Sequence, residues 1–420
     1  MWFKLVGQHS NQDSVLYYNN ITNELKTQDN ITISKTEQNT NEESVTYNFM
    51  PDKNSCIKQL DVEHLEIVLG LKCNFNCEYC SQSAIRDKGI NITPEKAKQL
   101  IQILKSVNLK VSKSIQLWGG EPLVYSKSLF VLIPLLRELY PNVSISMPSN
   151  GSLLNEKLID LFVKYNISYY VSTDGCDNET LRGKAVEDDP NLNRLFRIAA
   201  DKMKYNFGFS TTPHKDTADS IKIINTLKSK VPQIKVIGTH NVIRCHKADV
   251  LPNSIYEIPN DQLERYSQSI YQVLTNKDLY NIDRPLLRHA KHFLAKLCDQ
   301  INNYQSAGEC NMPTKYGLII DCLGNVYSCH SHSAIDECIG NIKDITKVNN
   351  IGFTHWSNRP KCKMCPYLSS CDGGCPRMGV KEHEISCKNL KALHSGIFKA
   401  VFKQALDFKI QNIISCNSLN

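Results

Sequence analysis

Nowhere does the chain offer the roughly 18 consecutive apolar residues that a membrane-spanning helix needs. Its opening stretch, Met1–His9, turns polar too soon to read as a secretion signal. No internal repeat, long low-complexity tract or continuous basic stripe with interleaved aromatics is present. Lys and Arg number 49 against 42 Asp and Glu, and the net charge of +7 is scattered. These absences exclude a helical membrane protein and argue against a nucleic-acid binder. They point to a cytoplasmic protein without a membrane partner. With 420 residues, 41% hydrophobic and 22% charged, the chain has room for a large catalytic domain plus smaller modules.

Cysteine is what the sequence has in excess. There are 17, too many for an average cytoplasmic enzyme and too few for a small disulfide scaffold. Ten of them fall into two groups, and clustered cysteines in a chain without a secretion signal read as metal ligands.

Residues 1–62 are polar, with short strand-like runs, and form a β-rich N-terminal segment. From residue 63 the texture alternates. His64–Leu71, Ser114–Trp118, Val143–Met147, Ser168–Thr173, Phe207–Thr211 and Val236–Asn241 read as strands. Pro94–Val107, Leu129–Leu139, Glu156–Tyr165, Asn191–Met203 and Ala218–Leu227 carry helical periodicity between them. Six strands alternating with helices predict an α/β fold, a partial (β/α)6 TIM-like barrel, over residues 63–255. A helical bridge is expected over 256–305, a Cys-rich domain over 306–390, and a C-terminal helix and tail over 391–420. In such barrels chemistry gathers where the strands end.

Cys73, Cys77 and Cys80 form a C-x3-C-x2-C triplet directly after the first barrel strand. Three thiolates hold three corners of a [4Fe–4S] cube and leave one iron open. A structural zinc site, the alternative, wants four ligands in paired units. The stretch resembles the signature of the radical S-adenosylmethionine (SAM) superfamily. That resemblance implies that the open iron binds SAM and that Tyr79 packs near the adenine. Trp118-Gly119-Gly120-Glu121-Pro122 is similar to the family's Gly-Gly-Glu-Pro motif, implying that Gly119, Gly120 and Glu121 meet the SAM ammonium. Ser149-Asn150-Gly151 is similar to its Thr-Asn-Gly turn, and Ser172-Thr173-Asp174-Gly175 to its Ser-x-Asp-Gly segment, expected at the SAM ribose and carboxylate. Arg182 stands where relatives often carry an arginine near that carboxylate; a solvated surface arginine is the alternative.

Further on, Cys310, Gly324 and Cys329 precede Cys362-x2-Cys365-x5-Cys371-x3-Cys375 and then Cys387. This resembles the seven-cysteine pattern of the SPASM domain, which holds two auxiliary iron–sulfur clusters, three [4Fe–4S] clusters in all. The resemblance implies Cys310, Cys329 and Cys375 for the first and Cys362, Cys365, Cys371 and Cys387 for the second. Cys322 is the remaining thiol near the first, although strand alternation turns it away from Cys329. His330, His332 and His383 lie beside cluster cysteines and read as hydrogen-bonding or surface residues rather than ligands.

Most relatives with this C-terminal pattern join side chains of ribosomally made precursor peptides by carbon–carbon, ether or thioether bonds. The resemblance therefore implies a precursor peptide as substrate and an electron donor such as flavodoxin or ferredoxin. A formylglycine-generating sulfatase maturase is the first alternative; those relatives carry Asp after the second auxiliary cysteine, where this chain has His330. A small-molecule oxidoreductase is the second. The N-terminal segment is expected either to offer a strand edge to a leader peptide or to cover the barrel mouth.

Overall fold

The computed structural model describes residues 1–29, 31–33, 56–86, 88–175, 181–245, 255–299, 310, 312–332, 337–350 and 353–416. The chain opens with three strands, β1 (Trp2–His9), β2 (Gln12–Asn19) and β3 (Leu25–Thr27), and a short β4 (Cys56–Ile57). The barrel follows as β5 (Asp61–Val68), α1 (Pro94–Ser106), β6 (Lys110–Trp118), α2 (Ser126–Leu139), β7 (Ser144–Ser149), α3 (Glu156–Lys164), β8 (Ile167–Thr173), α4 (Pro190–Met203), β9 (Phe207–Thr211), α5 (Ser220–Lys230) and β10 (Ile237–Gly238). Helices α6 (Asn260–Thr275), α7 (Lys277–Tyr280) and α8 (Arg284–Asp299) form the bridge. The Cys-rich part contains β11 (Gly317–Asp321), β12 (Asn325–Tyr327), β13 (Cys338–Asn341), β14 (Asn349–Asn350), α9 (Pro360–Lys363) and α10 (Leu368–Cys371). A long α11 (Val380–Leu406) and β15 (Phe408–Cys416) close the described chain.

Local chemistry starts the barrel helices. The Thr93 hydroxyl accepts from the Lys96 amide ahead of Pro94, and the Asn155 side chain accepts from Leu158. Asp189 before Pro190 and Asp219 before Ser220 cap α4 and α5 in the same manner. Strands β5 to β10 pair in parallel in sequence order. Alternation is clearest in β8, where Ile167, Tyr169, Val171 and Thr173 are buried, while Ser168, Tyr170 and Ser172 are half-exposed. Glu66, Gln116, Ser146 and Ser168 lie in register across four strands, a polar row on the face opposite the buried one.

The sheet does not stop at β5. Strand β11 pairs with it in parallel, Ile320 opposite Ile67, and β12 and β13 follow antiparallel. The Cys-rich region and the barrel thus share one nine-stranded sheet, a join that hydropathy alone does not reveal.

Two other differences from expectation concern the C-terminus. The last helix, expected to start after residue 390, begins at Val380, and the tail is a strand. The first three turns of α11 bury His383, Ser386 and Asn389, so they lack the apolar stripe that marks a helix in sequence. Asp407, in the left-handed region at φ 49°, ends the helix, and β15 pairs with β1 from His9–Phe408 to Trp2–Cys416. The boundary expected at 390/391 therefore falls inside a helix, and β15 joins the N-terminal sheet, ordered β15-β1-β2-β3. That sheet packs on the Cys-rich region. Tyr18 donates to the Ser369 hydroxyl at 2.5 Å with its ring against Phe398 and Phe402. The Asn20 amide donates to the carbonyls of Lys363 and Cys365 at 3.0 and 2.9 Å.

Candidate functional site

The Cys73–Cys80 loop leaves the end of β5 against the loop that leaves β6. Parallel pairing continues past both strands: Leu69 N–H donates to Trp118 O, Gly120 N–H to Gly70 O, and Glu121 N–H to Lys72 O. At this closeness side chains do not fit. A Cβ on Gly119 would lie 2.2 Å from the Gly70 oxygen, and one on Gly120 2.4 Å from the oxygens of Leu71 and Lys72. The two glycines therefore bring the backbone of the Gly-Gly-Glu-Pro loop onto the base of the cysteine loop. Cys73, Cys77 and Cys80 lie within one another's electrostatic reach. Burial raises the thiol pKa of Cys73 and Cys77, so each holds its proton at neutral pH until a metal displaces it.

Glu121 is 1% exposed and braces the next strand end. Its carboxylate accepts from the Leu123 amide at 2.9 Å, the Ser149 hydroxyl at 2.7 Å and the Asn150 amide at 2.6 Å. Burial raises its pKa although those donors oppose the rise. The Asn150 side chain donates to Asn74 at 2.9 Å, and Asn74 donates to Ser152, which ties the turn after β7 to the cysteine loop. Glu121, Ser149 and Asn150 thus form one network, with Glu121 turned toward protein donors.

A second network forms at the end of β8. Asp174 is fully buried and accepts on Oδ1 from the Tyr79 hydroxyl and from Arg182 Nε at 3.0 Å. The Arg182 guanidinium lies over the Tyr79 ring, 5.4 Å from its centre. Burial alone would lower the Arg182 pKa, but Tyr79 and Asp174 outweigh it and the charge is fixed. Arg182 is thus an interior residue facing Cys77, not a solvated one. The other oxygen, Asp174 Oδ2, is buried and has no hydrogen-bond partner among the described residues. His214, three residues beyond β9, presents Nε2 to it at 3.8 Å. The Asp216 amide donates to His214 Nδ1, which assigns the proton to Nε2, and burial lowers the ring's pKa so that it is neutral near pH 7. An orphaned carboxylate oxygen flanked by a ring N–H, an arginine and a cysteine loop fits a ligand carrying hydroxyl or ammonium donors. His214 was not singled out in the sequence; its place just past a barrel strand was the available signal. Ser172 stands apart from both networks, on the half-exposed face of β8.

The Cys-rich region holds two further groups. Cys310, Cys329 and Cys375 lie within electrostatic reach of one another, and burial pushes the Cys329 thiol up to about 11. Beside them His330 Nδ1 meets Glu66 at 3.1 Å, and its ring packs on Trp118 at 4.5 Å. Cys362, Cys365, Cys371 and Cys387 line one partly open pocket, together with His383 and His394. Cys371 and Cys375 are separated by Asp372, Gly373 and Gly374, all at positive φ (54°, 79° and 71°), a tight turn that sends the two thiols to different groups. Among the described residues no three His, Cys, Asp or Glu side chains converge tightly enough for one metal ion. A four-iron cube places each cysteine on its own iron and so needs wider spacing.

Cys322 lies elsewhere. It is fully buried in the main core with Leu318 and Ile320, whereas Cys310 packs with Ile319 and Tyr327 on the other side of the strand. Cys322→Ala is expected to keep the full iron content and to cost about 1 kcal/mol of packing; iron analysis and a denaturant melt check both.

Residues 67–237 match the family described as the Radical SAM superfamily, so the chain carries a radical SAM domain. Among curated proteins it is 23% identical over 342 residues to "Radical SAM cyclopropyl synthase TigE" of Paramaledivibacter caminithermalis, covering 75% of this chain and 68% of that protein. It is 27% identical over 181 residues to "S-adenosylmethionine-dependent nucleotide dehydratase RSAD2" of Oncorhynchus mykiss, covering 40% of this chain and 51% of that protein. The chain thus spans about half the length of the latter relative. The solved structure "Native anSMEcpe with bound AdoMet and Cp18Cys peptide" superposes with a TM-score of 0.56 at 18% identity, covering 82% of this chain and 99% of that one. That likeness shows a shared fold.

Proposed function

We propose that this chain, built around a radical SAM domain, is a peptide maturase that joins side chains within a ribosomally made precursor. The observation that carries the reading is the four-cysteine pocket of Cys362, Cys365, Cys371 and Cys387, which supports a SPASM-type auxiliary centre behind the barrel. With Cys310, Cys329 and Cys375 as ligands of a second one, two auxiliary clusters accompany the cluster at Cys73, Cys77 and Cys80. The peptide bound to anSMEcpe supports a peptide substrate on such a fold, and the words cyclopropyl synthase in the name of TigE support bond formation.

The residues present fit these groups, because each cysteine set is spatially grouped and Asp174 offers an unpaired acceptor beside the first. A cluster held by Cys73, Cys77 and Cys80 with SAM beside it would supply one-electron reductive chemistry and hydrogen abstraction, and clusters held by the seven C-terminal cysteines would supply redox capacity. The chain's own task is positioning. Gly119 and Gly120 bring the loop backbone close, Asp174 accepts ligand donors, Arg182 and Tyr79 hold Asp174 in place, and Glu121 fixes the Ser149–Gly151 turn. Ser172 on the polar face is a contact for the bound nucleoside or for the substrate. Reducing equivalents come from a flavodoxin- or ferredoxin-type donor.

Anaerobically reconstituted protein with a short precursor peptide is expected to yield a product lighter by about 2 Da per bond, since joining two side chains removes two hydrogens. Mass spectrometry reads it directly. Formylglycine in a sulfatase-derived peptide, or turnover of a nucleotide with none of the peptide, overturns the reading.

A further inference from the structure

Arg359 lies between the two Cys-rich groups and is 9% exposed. It ends a short turn begun at Trp356, and its carbonyl accepts from the Cys362 amide at 2.9 Å. The guanidinium reaches the other way. Nη1 donates to the Gly373 carbonyl at 2.8 Å, and Nη2 to the carbonyls of Cys375 and Met378, both at 3.0 Å. One side chain thus clamps the turn that parts Cys371 from Cys375, while its backbone starts the helix that carries Cys362.

Its charge is unusual. Among the described residues no carboxylate lies within ion-pair distance of Arg359; the nearby Asp372 is engaged by Lys296 and His292. The guanidinium lies within electrostatic reach of Cys362, Cys375, Cys371 and Cys387, drawn from both cysteine sets. An interior cation facing only carbonyls and neutral thiols is left uncompensated, and breaking a buried pair in that way is strongly unfavourable. A thiolate-ligated iron–sulfur cluster carries net negative charge, and two such clusters supply the missing counter-charge.

We propose that Arg359 is a positioning residue shared by both auxiliary clusters, and that its fixed positive charge raises their reduction potentials. The inference rests on the two-cluster reading above. Reduction adds an electron to an already anionic centre, so a neighbouring cation in a low-dielectric setting favours the reduced form. Arg359 would thereby ease the arrival of electrons from the substrate site.

The test uses Arg359→Met and Arg359→Lys in the full chain, with iron and sulfide analysis and spectroscopically monitored redox titration of the auxiliary signals. Arg359→Met is expected to shift at least one auxiliary couple toward the oxidised form by tenfold or more, 59 mV for one electron. Arg359→Lys, which keeps the charge but offers a different donor geometry, is expected to stay within threefold of wild type. Full iron with unchanged potentials in Arg359→Met overturns the proposal. If Arg359→Met loses iron, restored iron and wild-type potentials in Arg359→Lys support the charge, and failure of Arg359→Lys to restore them leaves only a structural clamp and overturns it. Wild-type protein with iron for a single cluster refutes the two-cluster reading itself, a result visible before any variant is made.

Discussion

Protein in which Cys73, Cys77 and Cys80 are all replaced by Ala is expected to form no 5′-deoxyadenosine from SAM under reducing conditions. It should lose about a third of its iron and keep the rest, because the other seven cysteines occupy separate groups. The side chains change little in volume and lie on a loop whose path is set by backbone pairing to Trp118, Gly120 and Glu121. The fold should therefore survive, and the loss is one of chemistry. Product analysis with iron counting decides the matter. Nucleoside formation at the wild-type rate, or loss of all the iron, would refute the assignment.

The second large effect is on stability. Lys296 of α8 is 2% exposed; its ammonium donates to the Ser369 carbonyl at 3.2 Å and pairs with Asp372. Lys296→Met leaves the Asp372 carboxylate buried with His292 but without its ammonium. Removing one partner of a buried pair costs about 3–5 kcal/mol. Burial on its own would raise the Asp372 pKa, yet Lys296 and His292 hold it well below the usual carboxylate range. A group with a depressed folded-state pKa contributes stability above its unfolded value, about 3.9, and loses it as the pH falls through the folded value. The gap between wild type and Lys296→Met in denaturant melts should thus be widest near neutrality and narrow below about pH 4. A gap under about 1 kcal/mol at pH 7, or one indifferent to acid, would show that the pair does not act as described.

Much of the barrel was legible because its signals are local. Thr93-Pro94 and Asp189-Pro190 announce helix starts, and alternation in β8 is written residue by residue. The Cys73–Cys80 triplet stood out because its spacing is short. Pairings between distant segments carry no such signal. Nothing in Gly317–Asp321 says that its neighbour is β5 rather than another strand, and the polar first turns of α11 are buried by what surrounds them. His214, Arg359 and Lys296 were missed for the same reason: each acquires its role from a partner far away in sequence. Arg182 was ambiguous until Asp174 and Tyr79 stood beside it.

The pairing of β1 with β15, and of β5 with β11, has a consequence for how the chain reaches its native state. The ladders join segments separated by 414 residues (Trp2–Cys416) and 253 residues (His64–Gly317), and the entropy of closing such large loops must be met before the contacts reward it. During synthesis β1 and one edge of β5 emerge long before their partners exist. They wait with open hydrogen-bonding edges, which favour pairing with other chains. The barrel helices can pack early on β6 to β9, but the sheet that carries Cys310 and Cys329 is completed late. Metal loading of the C-terminal groups should therefore follow chain completion, and slow, dilute, anaerobic refolding should outperform rapid concentration for recovering fully metallated enzyme.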